Sequence, residues 1–205
     1  MSLNHKTRQN CPHCDSEQEL NYYQSVNVTL NPELKREVLL GKLNRSTCTN
    51  CQKEINIISG FLYHDMTQKI MLELALADDE TVDQKEQESK NRMMDELIEK
   101  GYIYRKVKEY SRLVEKIYIF DNQLNDLVIE QAAVRMKAIL DESSKEVAGI
   151  EPNLDFKVYF KKTENNEITF FCYIHPSEMM EMKYDIKNLT LEEKNNLYNP
   201  DILRK

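Results

Sequence analysis

Asn10–Ser16 reads NCPHCDS and Thr47–Glu54 reads TCTNCQKE, and these two stretches decide how the front of the chain folds. Each holds two cysteines with two residues between them: Cys11 and Cys14 in the first, Cys48 and Cys51 in the second. A Cys-x2-Cys turn puts both sulfurs on one side and lets following backbone amides donate to them, which favours the thiolate. Pro12 pre-sets one dihedral of the first turn, and Thr49 stands at the corresponding place in the second. Zinc has no geometric preference from d-electrons, so a protein must present four ligands on a tetrahedron, and thiolates at about 2.3 Å are the usual structural choice. Two tight turns are the shortest way to supply them. The expectation is one structural Zn2+ held by Cys11, Cys14, Cys48 and Cys51. A shell closed by four cysteines leaves no position for water, so such a metal stabilises structure and activates no nucleophile. Iron also accepts tetrahedral sulfur, and four unliganded thiols or a pair cycling through disulfides are competing readings that metal content separates. Four thiolates around a dication leave a local charge of roughly minus two, which Arg8, Arg45 and Lys53, close by in sequence, could offset.

The chain has 205 residues, of which 40% are hydrophobic and 31% charged, with a formal net charge of −7. That length accommodates one large domain or two small ones, and a shift of composition in the middle favours two. An acidic balance opposes sequence-independent binding to a polyanion, which relies on many Lys and Arg releasing counterions. No apolar run approaches the thickness of a bilayer, and MSLNHKTRQN, residues 1–10, carries neither the apolar segment nor the cleavage site of a secretory signal. Five cysteines arranged as two pairs plus Cys172 read as a metal site in a reducing compartment, not as a disulfide framework. The expectation is a cytoplasmic protein that does not enter the membrane.

Between the cysteine pairs, LNYYQSVNVTL (20–30) alternates with Val26, Val28 and Leu30 on one face, as a half-buried strand should. NPELKREVLLG (31–41) predicts a helix, with Asn31 as cap, Pro32 at the first helical position, Glu33 at the positive end of the dipole and Gly41 as left-handed terminator. Leu34 and Val38 share its inner face. The 33 residues from 15 to 47 exceed the common ribbon spacing, and this strand and helix fill the insertion. EINIISGFLYHD (54–65) and QKIMLELAL (68–76) predict two strands joined at His64–Thr67, with Ile70, Leu72, Leu74 and Leu76 alternating. ADDETVDQKEQESKNR (77–92), with Val82 its one large apolar residue, reads as a solvated helix or linker, firming into helix at MMDELIEKG before Gly101.

The second half begins with a strand at YIYRKV (102–107) and a short helix at SRLVEKIYIF (111–120), capped by Ser111 and carrying Leu113, Val114 and Ile117. A longer helix follows in residues 122–143, its stripe made of Val128, Ala132, Met136, Ile139 and Leu140. FKVYFKKTENNEITFFCYI (156–174) predicts a hairpin whose Asn165-Asn166 supplies two left-handed positions. A two-residue loop there puts Phe156, Val158 and Phe160 on one face with Phe171 and Tyr173. Cys172 reads as a packed thiol. Thr190-x-x-Glu193 is a capping box. The fold class is therefore α+β: a zinc-ribbon domain over 1–77 with an inserted helix, a charged helical linker over 78–101, and an α+β domain of two helices and a hairpin over 102–205. The repeated cysteine turn is how zinc ribbons are commonly built.

These residues resemble the CpXC family, named for paired Cys-Pro-x-Cys motifs and found in bacteria and archaea. The resemblance rests on CPHC and CTNC, on NPELK between them, on FLYHD after them, and more loosely on LVEKIYIF with NDLVIE, and so covers roughly residues 8 to 135. Thr49 departs from the Cys-Pro form and leaves both ligands of its pair intact. The resemblance implies metal binding and a bacterial or archaeal source, and little about activity.

Tyr63, His64 and Asp65 form the most enzyme-like group after the cysteines, since His and Asp can make an acid-base pair. Adjacent residues on a strand point to opposite faces, which opposes a direct His64–Asp65 pair. His13, between two cysteines that already fill that side of a metal, reads as a non-ligand. YRKVKEYSR (104–112) mixes Arg105, Lys106, Lys108 and Arg112 with Tyr104 and Tyr110, a combination that can grip single-stranded nucleic acid and that more often is a charged surface. The expected function is a non-enzymatic, zinc-stabilised module that binds another macromolecule, a protein before a nucleic acid. The alternatives are a nucleic-acid-binding zinc ribbon and a hydrolase-like enzyme using His64.

Overall fold

Strand β1, Leu3–Asn10, runs into the first cysteine pair and returns as β2, Glu17–Asn27, in an antiparallel pairing that closes at Asn10 opposite Glu17. The computed structural model describes residues 2–76, 84–146, 155–175 and 178–199. Helix α1, Glu33–Leu39, follows, and then a second, shorter hairpin of β3, Arg45–Thr47, and β4, Glu54–Asn56, with the other cysteine pair at its tip. Strands β5, Phe61–Asp65, and β6, Ile70–Leu74, come next, followed by helix α2, Gln84–Glu99, and strand β7, Ile103–Val107. The first sheet has the order β1-β2-β5-β6-β7. Its β2–β5 and β6–β7 pairings are parallel. A parallel pair needs a crossover connection, and here one crossover is α1 with the β3–β4 hairpin and the other contains α2.

Helix α1 buries Leu34 and Val38, as their spacing predicts. Pro32 itself is the N-cap, with no side-chain bond, and Asn31 accepts from the Ser2 hydroxyl instead at 2.9 Å. At the far end Gly41 takes φ +64°, and the amides of Gly41 and Lys42 turn back to the carbonyls of Val38 and Glu37. Gly101 ends α2 in the same way, at φ +82° with its amide on Ile98. Of the strand read over 20–30, Val26 and Val28 are buried, but Leu30 lies beyond the end of β2 and is exposed. In β6, Met71 is buried along with Ile70 and Leu72, because an interior strand of a sheet can be covered on both faces; Leu76, past its end, is exposed. The turn between β5 and β6 is Met66–Lys69, two residues later than predicted. The charged stretch contributes its later part to α2, and Val82 lies outside the described residues.

The described chain divides into two compact units, one up to Val114 and one from Glu115. That division falls inside helix α3, Tyr110–Asp121. The helix begins one residue before Ser111, whose hydroxyl donates to Glu109 at 3.3 Å. In the first unit the Tyr110 hydroxyl donates to the Val38 carbonyl at 2.6 Å, and burial pushes this phenol up to about 12. Strand β7, read from the sequence with the second half, is hydrogen-bonded to β6.

The second unit holds the rest of α3, helix α4 at Asp126–Glu146, strands β8 at Lys157–Glu164, β9 at Glu167–His175 and β10 at Glu178–Asp185, and helix α5 at Leu191–Asn196. The Asn125 carboxamide oxygen caps α4 by accepting from the amides of Leu127 and Val128. The stripe of α4 is Val128, Ala132, Met136 and Leu140, packed on the inner face of an antiparallel sheet of order β10-β9-β8. Ile139 is exposed, one position off that stripe. Asn165 and Asn166 occupy the left-handed region at φ 51° and 63°, as the hairpin reading requires.

The register of this hairpin corrects the predicted face. From Glu164 opposite Glu167 to Lys162 opposite Thr169 the pairing follows a two-residue loop, but a bulge at Lys161 then places Phe160 opposite Phe170. One extra residue moves every later partner on β9 by one. The buried set is Phe156, Val158 and Phe160 with Ile168, Phe170 and Cys172, while Phe171 and Tyr173 face outward and are half-buried. Between helices α3 and α4, Lys116, Asp126 and Glu130 form an ion cluster, with Lys116 to Asp126 at 2.5 Å and both of these side chains buried. The capping box is present: the Thr190 hydroxyl accepts from the Glu193 amide, and Glu193 reaches back to the Thr190 amide.

Candidate metal centre

The two cysteine turns sit at the tips of two hairpins and have one geometry. Asn10 pairs with Glu17 at the base of the first, and Thr47 with Glu54 at the base of the second. Within the turns, Cys11 donates its amide to the Ser16 carbonyl at 2.9 Å and Cys48 donates to Lys53 at 2.9 Å. The amides of Asp15 and Gln52 return to the carbonyls of Cys11 and Cys48, and both residues sit at φ 59°. The second knuckle thus repeats the first 37 positions later, Cys11 onto Cys48 and Cys14 onto Cys51.

All four Sγ atoms lie within 4.8 Å of one another. Cys11 is 3.7 Å from Cys51, and Cys14 is 3.7 Å from Cys48, sulfur to sulfur. A tetrahedron with metal–sulfur bonds of about 2.3 Å has edges of about 3.8 Å, so the spacing matches a single four-coordinate ion. Cys11 and Cys48 are buried, Cys14 and Cys51 half-buried, and all four gather with Leu20, Ile55 and Ile57 in a small core of their own. The donor set is four thiols within reach of backbone amides, which is chemistry that fits a closed, soft-ligand metal site.

Hydrogen bonds are unevenly divided around the sulfurs. The His13 amide donates to Cys11 at 3.4 Å and the Cys51 amide to Cys48 at 3.5 Å. Cys14 has the Ser16 hydroxyl at 3.1 Å and the Asn50 carboxamide at 3.5 Å. The Ser16 hydroxyl and amide, with Asn50, hold the Cys14 thiol down to about 5. The Cys51 amide lowers Cys48 in the same sense. Cys51 goes the other way, to about 11: the Lys53 amide lowers it, but burial and the neighbouring thiols outweigh that. A dication among four thiolates favours the deprotonated form of all of them.

Each remaining sequence candidate has a place. The His13 ring lies against the Glu54 carbonyl at 3.3 Å and is not one of the four clustered groups. Arg45 is bonded to Glu54 at 2.7 Å, and Arg8 stands opposite Glu19 on the hairpin. His64 lies between Asn27 and Tyr102, at 3.5 and 3.4 Å, its ring tilted on that of Tyr102; burial lowers its basicity. Asp65 is buried and its carboxylate takes the amides of Thr67 and Gln68 in the turn, which leaves no direct His64–Asp65 pair. The Tyr104 and Tyr110 hydroxyls are bonded to Glu73 and to Val38, and the Tyr110 ring lies tilted against that of Phe61 with centroids 6.1 Å apart. Cys172 is fully buried in the second unit, and burial pushes its thiol up to about 11.

Sequence reasoning missed Ser16, Asn50 and Gln18. Ser16 and Asn50 lie in or beside the cysteine turns, where any short polar residue can reach sulfur, and that position was the available signal. Gln18 shares a strand face with Leu20 and reads as an ordinary polar strand residue.

No match is found among curated proteins or among solved structures. None of the described helices is long and apolar enough to cross a membrane. A family model described as CpXC protein matches residues 10–132, a span that takes in both knuckles, α1 and the whole of the first sheet from β2 onward. More than half of the 205 residues lie in that match, and the chain belongs to the CpXC family.

Proposed function

We propose that Cys11, Cys14, Cys48 and Cys51 hold one structural Zn2+ in a zinc ribbon, and that the protein is a non-enzymatic module binding another macromolecule, a protein. The observation that carries the metal reading is the tetrahedral spacing of the four sulfurs, 3.7 Å along two independent edges. Two hairpins of equal register with a knuckle at each tip support the ribbon reading. Thiolate ligation needs reduced cysteines, so this reading carries a reducing compartment, the cytoplasm, with it.

A protein partner is supported by charge and by surface. The net charge of −7 works against phosphate backbones. On the outer face of the second sheet Tyr159, Phe171 and Tyr173 are half-buried and Met179 is exposed, beside the Lys161–Glu181 ion pair. Aromatic residues and Met are enriched at protein interfaces. Elemental analysis of protein purified without added metal tests the first part: one equivalent of zinc is expected, and four titratable thiols without metal would overturn it. Affinity capture from native extract, wild type against the Cys48→Ser, Cys51→Ser variant, tests the second, with a protein partner lost from the variant as the expected result. Recovery of nucleic acid in place of protein overturns the partner assignment.

A further inference from the structure

We infer that Gln18 is a brace that ties the two knuckles together and aims the Ser16 hydroxyl at the metal-binding sulfurs, and that Thr49 must keep its backbone N–H for this. The inference rests on the metal reading above. Gln18 is 6% exposed, and its side chain uses every hydrogen-bonding position it has. Its Oε1 accepts from the Thr49 amide and from the Thr49 hydroxyl, both at 3.0 Å. Its Nε2 donates to the Ser16 hydroxyl at 3.0 Å and to the Glu17 carbonyl at 2.9 Å. The orientation of this carboxamide is not arbitrary: a backbone amide can only donate and a backbone carbonyl can only accept, so Oε1 faces Thr49 and Nε2 faces Glu17. One end of Gln18 therefore holds the second knuckle and the other end the first.

The consequence falls on sulfur. A hydroxyl has one hydrogen. With Gln18 donating to the Ser16 oxygen, that hydrogen is left to point at a thiolate, and Cys14 and Cys48 lie 3.1 and 3.6 Å away. Asn50 adds its carboxamide to Cys14 from the second knuckle. Groups that bond to ligands fix their orientation and tune the metal they hold, and their loss weakens metal binding by about 10- to 100-fold.

The same brace accounts for the one place where the knuckles differ in backbone chemistry. Pro12 and Thr49 are equivalent by the 37-residue repeat, and so are Gln18 and Ile55. Proline has no N–H. It is compatible with the first knuckle, where nothing has to donate, but at position 49 it would leave the buried Gln18 oxygen without its amide partner. Ile55, at the position equivalent to Gln18, is 1% exposed and packs in the sulfur core. One side of the repeat is thus closed by an apolar residue, the other by a polar brace.

Full-length protein loaded with Zn2+ and then challenged with excess chelator reads the effect as a metal affinity and a release rate. Gln18→Leu and Thr49→Pro are each expected to weaken metal binding about 10-fold or more, whereas Thr49→Ala, which keeps the N–H, weakens it only a few-fold. The turn itself tolerates proline, as Pro12 demonstrates at the equivalent place. The double variant Gln18→Leu, Thr49→Pro is expected to be no worse than the weaker single variant, because both remove one brace. Ser16→Ala in the Co2+-loaded protein is expected to move the thiolate charge-transfer band while the far-ultraviolet circular dichroism stays unchanged, which a merely structural role would not do. Thr49→Pro and Gln18→Leu proteins that hold metal as tightly as wild type, or whose losses multiply in the double variant, overturn the brace and leave the metal reading standing. A wild type that binds neither Zn2+ nor Co2+ overturns both.

Discussion

Two of the molecule's cores are built on different principles. Around the knuckles, four buried residues form a cluster, Cys11, Leu20, Cys48 and Ile55, and two of these are themselves sulfur donors. In the second unit sixteen buried residues pack α4 on one face of a three-stranded sheet. Burying an aliphatic or aromatic side chain contributes about 1.5–3 kcal/mol before conformational entropy is subtracted, so sixteen can hold a fold and Leu20 with Ile55 cannot. On the metal reading proposed above, the knuckle core draws its stability from ligation, the other from packing. The comparison is sharpest where one can be broken without the other.

The largest effect is expected from taking the ligands away. Apparent binding energy at a structural four-ligand zinc site is on the order of 10 kcal/mol, so Cys48→Ser, Cys51→Ser should strip amide-exchange protection from the hairpins of β1–β2 and β3–β4. Protection in α4 should stay as in wild type. Uniform protection across both variants and regions would contradict a ligation-held core. The reciprocal change is Phe170→Ala, at a side chain with no exposed surface in the second core. It should cost about 3–5 kcal/mol by transfer and cavity terms, lowering the urea midpoint, with the zinc content unchanged. Loss of metal from this variant would show the two cores to be coupled.

A third test separates packing from charge inside the second core. Lys116 and Asp126 are 5% and 0% exposed. Removing one member of a buried pair leaves the other uncompensated, and Lys116→Met should destabilise by about 3 kcal/mol. Replacing both, as Lys116→Met, Asp126→Leu, should recover most of that loss, since the desolvation penalty goes with the pair. A double variant as unstable as the single one would show that Glu130 or the shape of the site, and not the stranded carboxylate, sets the loss.

The two cores also differ in how far the sequence discloses them. Cysteine spacing is a local signal, and it identified the four sulfurs that the fold brings within 4.8 Å. What it could not disclose is the brace, because nothing in the order of residues says that Gln18 meets Thr49, 31 positions away. Strand β1 escaped for another reason. As an edge strand made almost wholly of polar residues it shows no apolar alternation, the pattern by which strands are recognised. In the second core the α4 stripe and the Asn165-Asn166 turn were readable, and the register was not. Phe170 and Phe171 are adjacent aromatics, so either can be buried without violating the alternation. The choice goes with the bulge at Lys161, next to which the Phe160 amide is taken by the Glu115 carboxylate at 2.6 Å. That partner comes from a helix 45 residues earlier, and turn chemistry carries no trace of it.

The smallest effect lies at the end of the packed unit, where the Thr190 cap and the Arg135–Glu193 pair meet. Arg135 donates to both carboxylate oxygens of Glu193, at 3.0 and 2.8 Å, while the same carboxylate accepts from the Thr190 amide. Thr190→Ala removes the hydroxyl that accepts from the Glu193 amide and should cost about 1 kcal/mol. The ion pair also carries the largest part of a pH signature, to which the Thr190 amide and hydroxyl add. The Arg135 guanidinium holds the Glu193 carboxyl below its ordinary value of 4.5. A carboxylate with a depressed folded-state value lends stability that is fully present above the ordinary value and is lost as the pH falls through the folded one. Between pH 7 and about 5 the thermal midpoint of the second unit should therefore be insensitive to this pair, with the loss beginning only below 4.5. Arg135→Met should flatten that acid limb most, whereas Thr190→Ala, which keeps the Thr190 amide on the carboxylate, should shift the whole curve down and flatten it less. Equal acid slopes in wild type and Arg135→Met would mean that the pair contributes nothing beyond the cap.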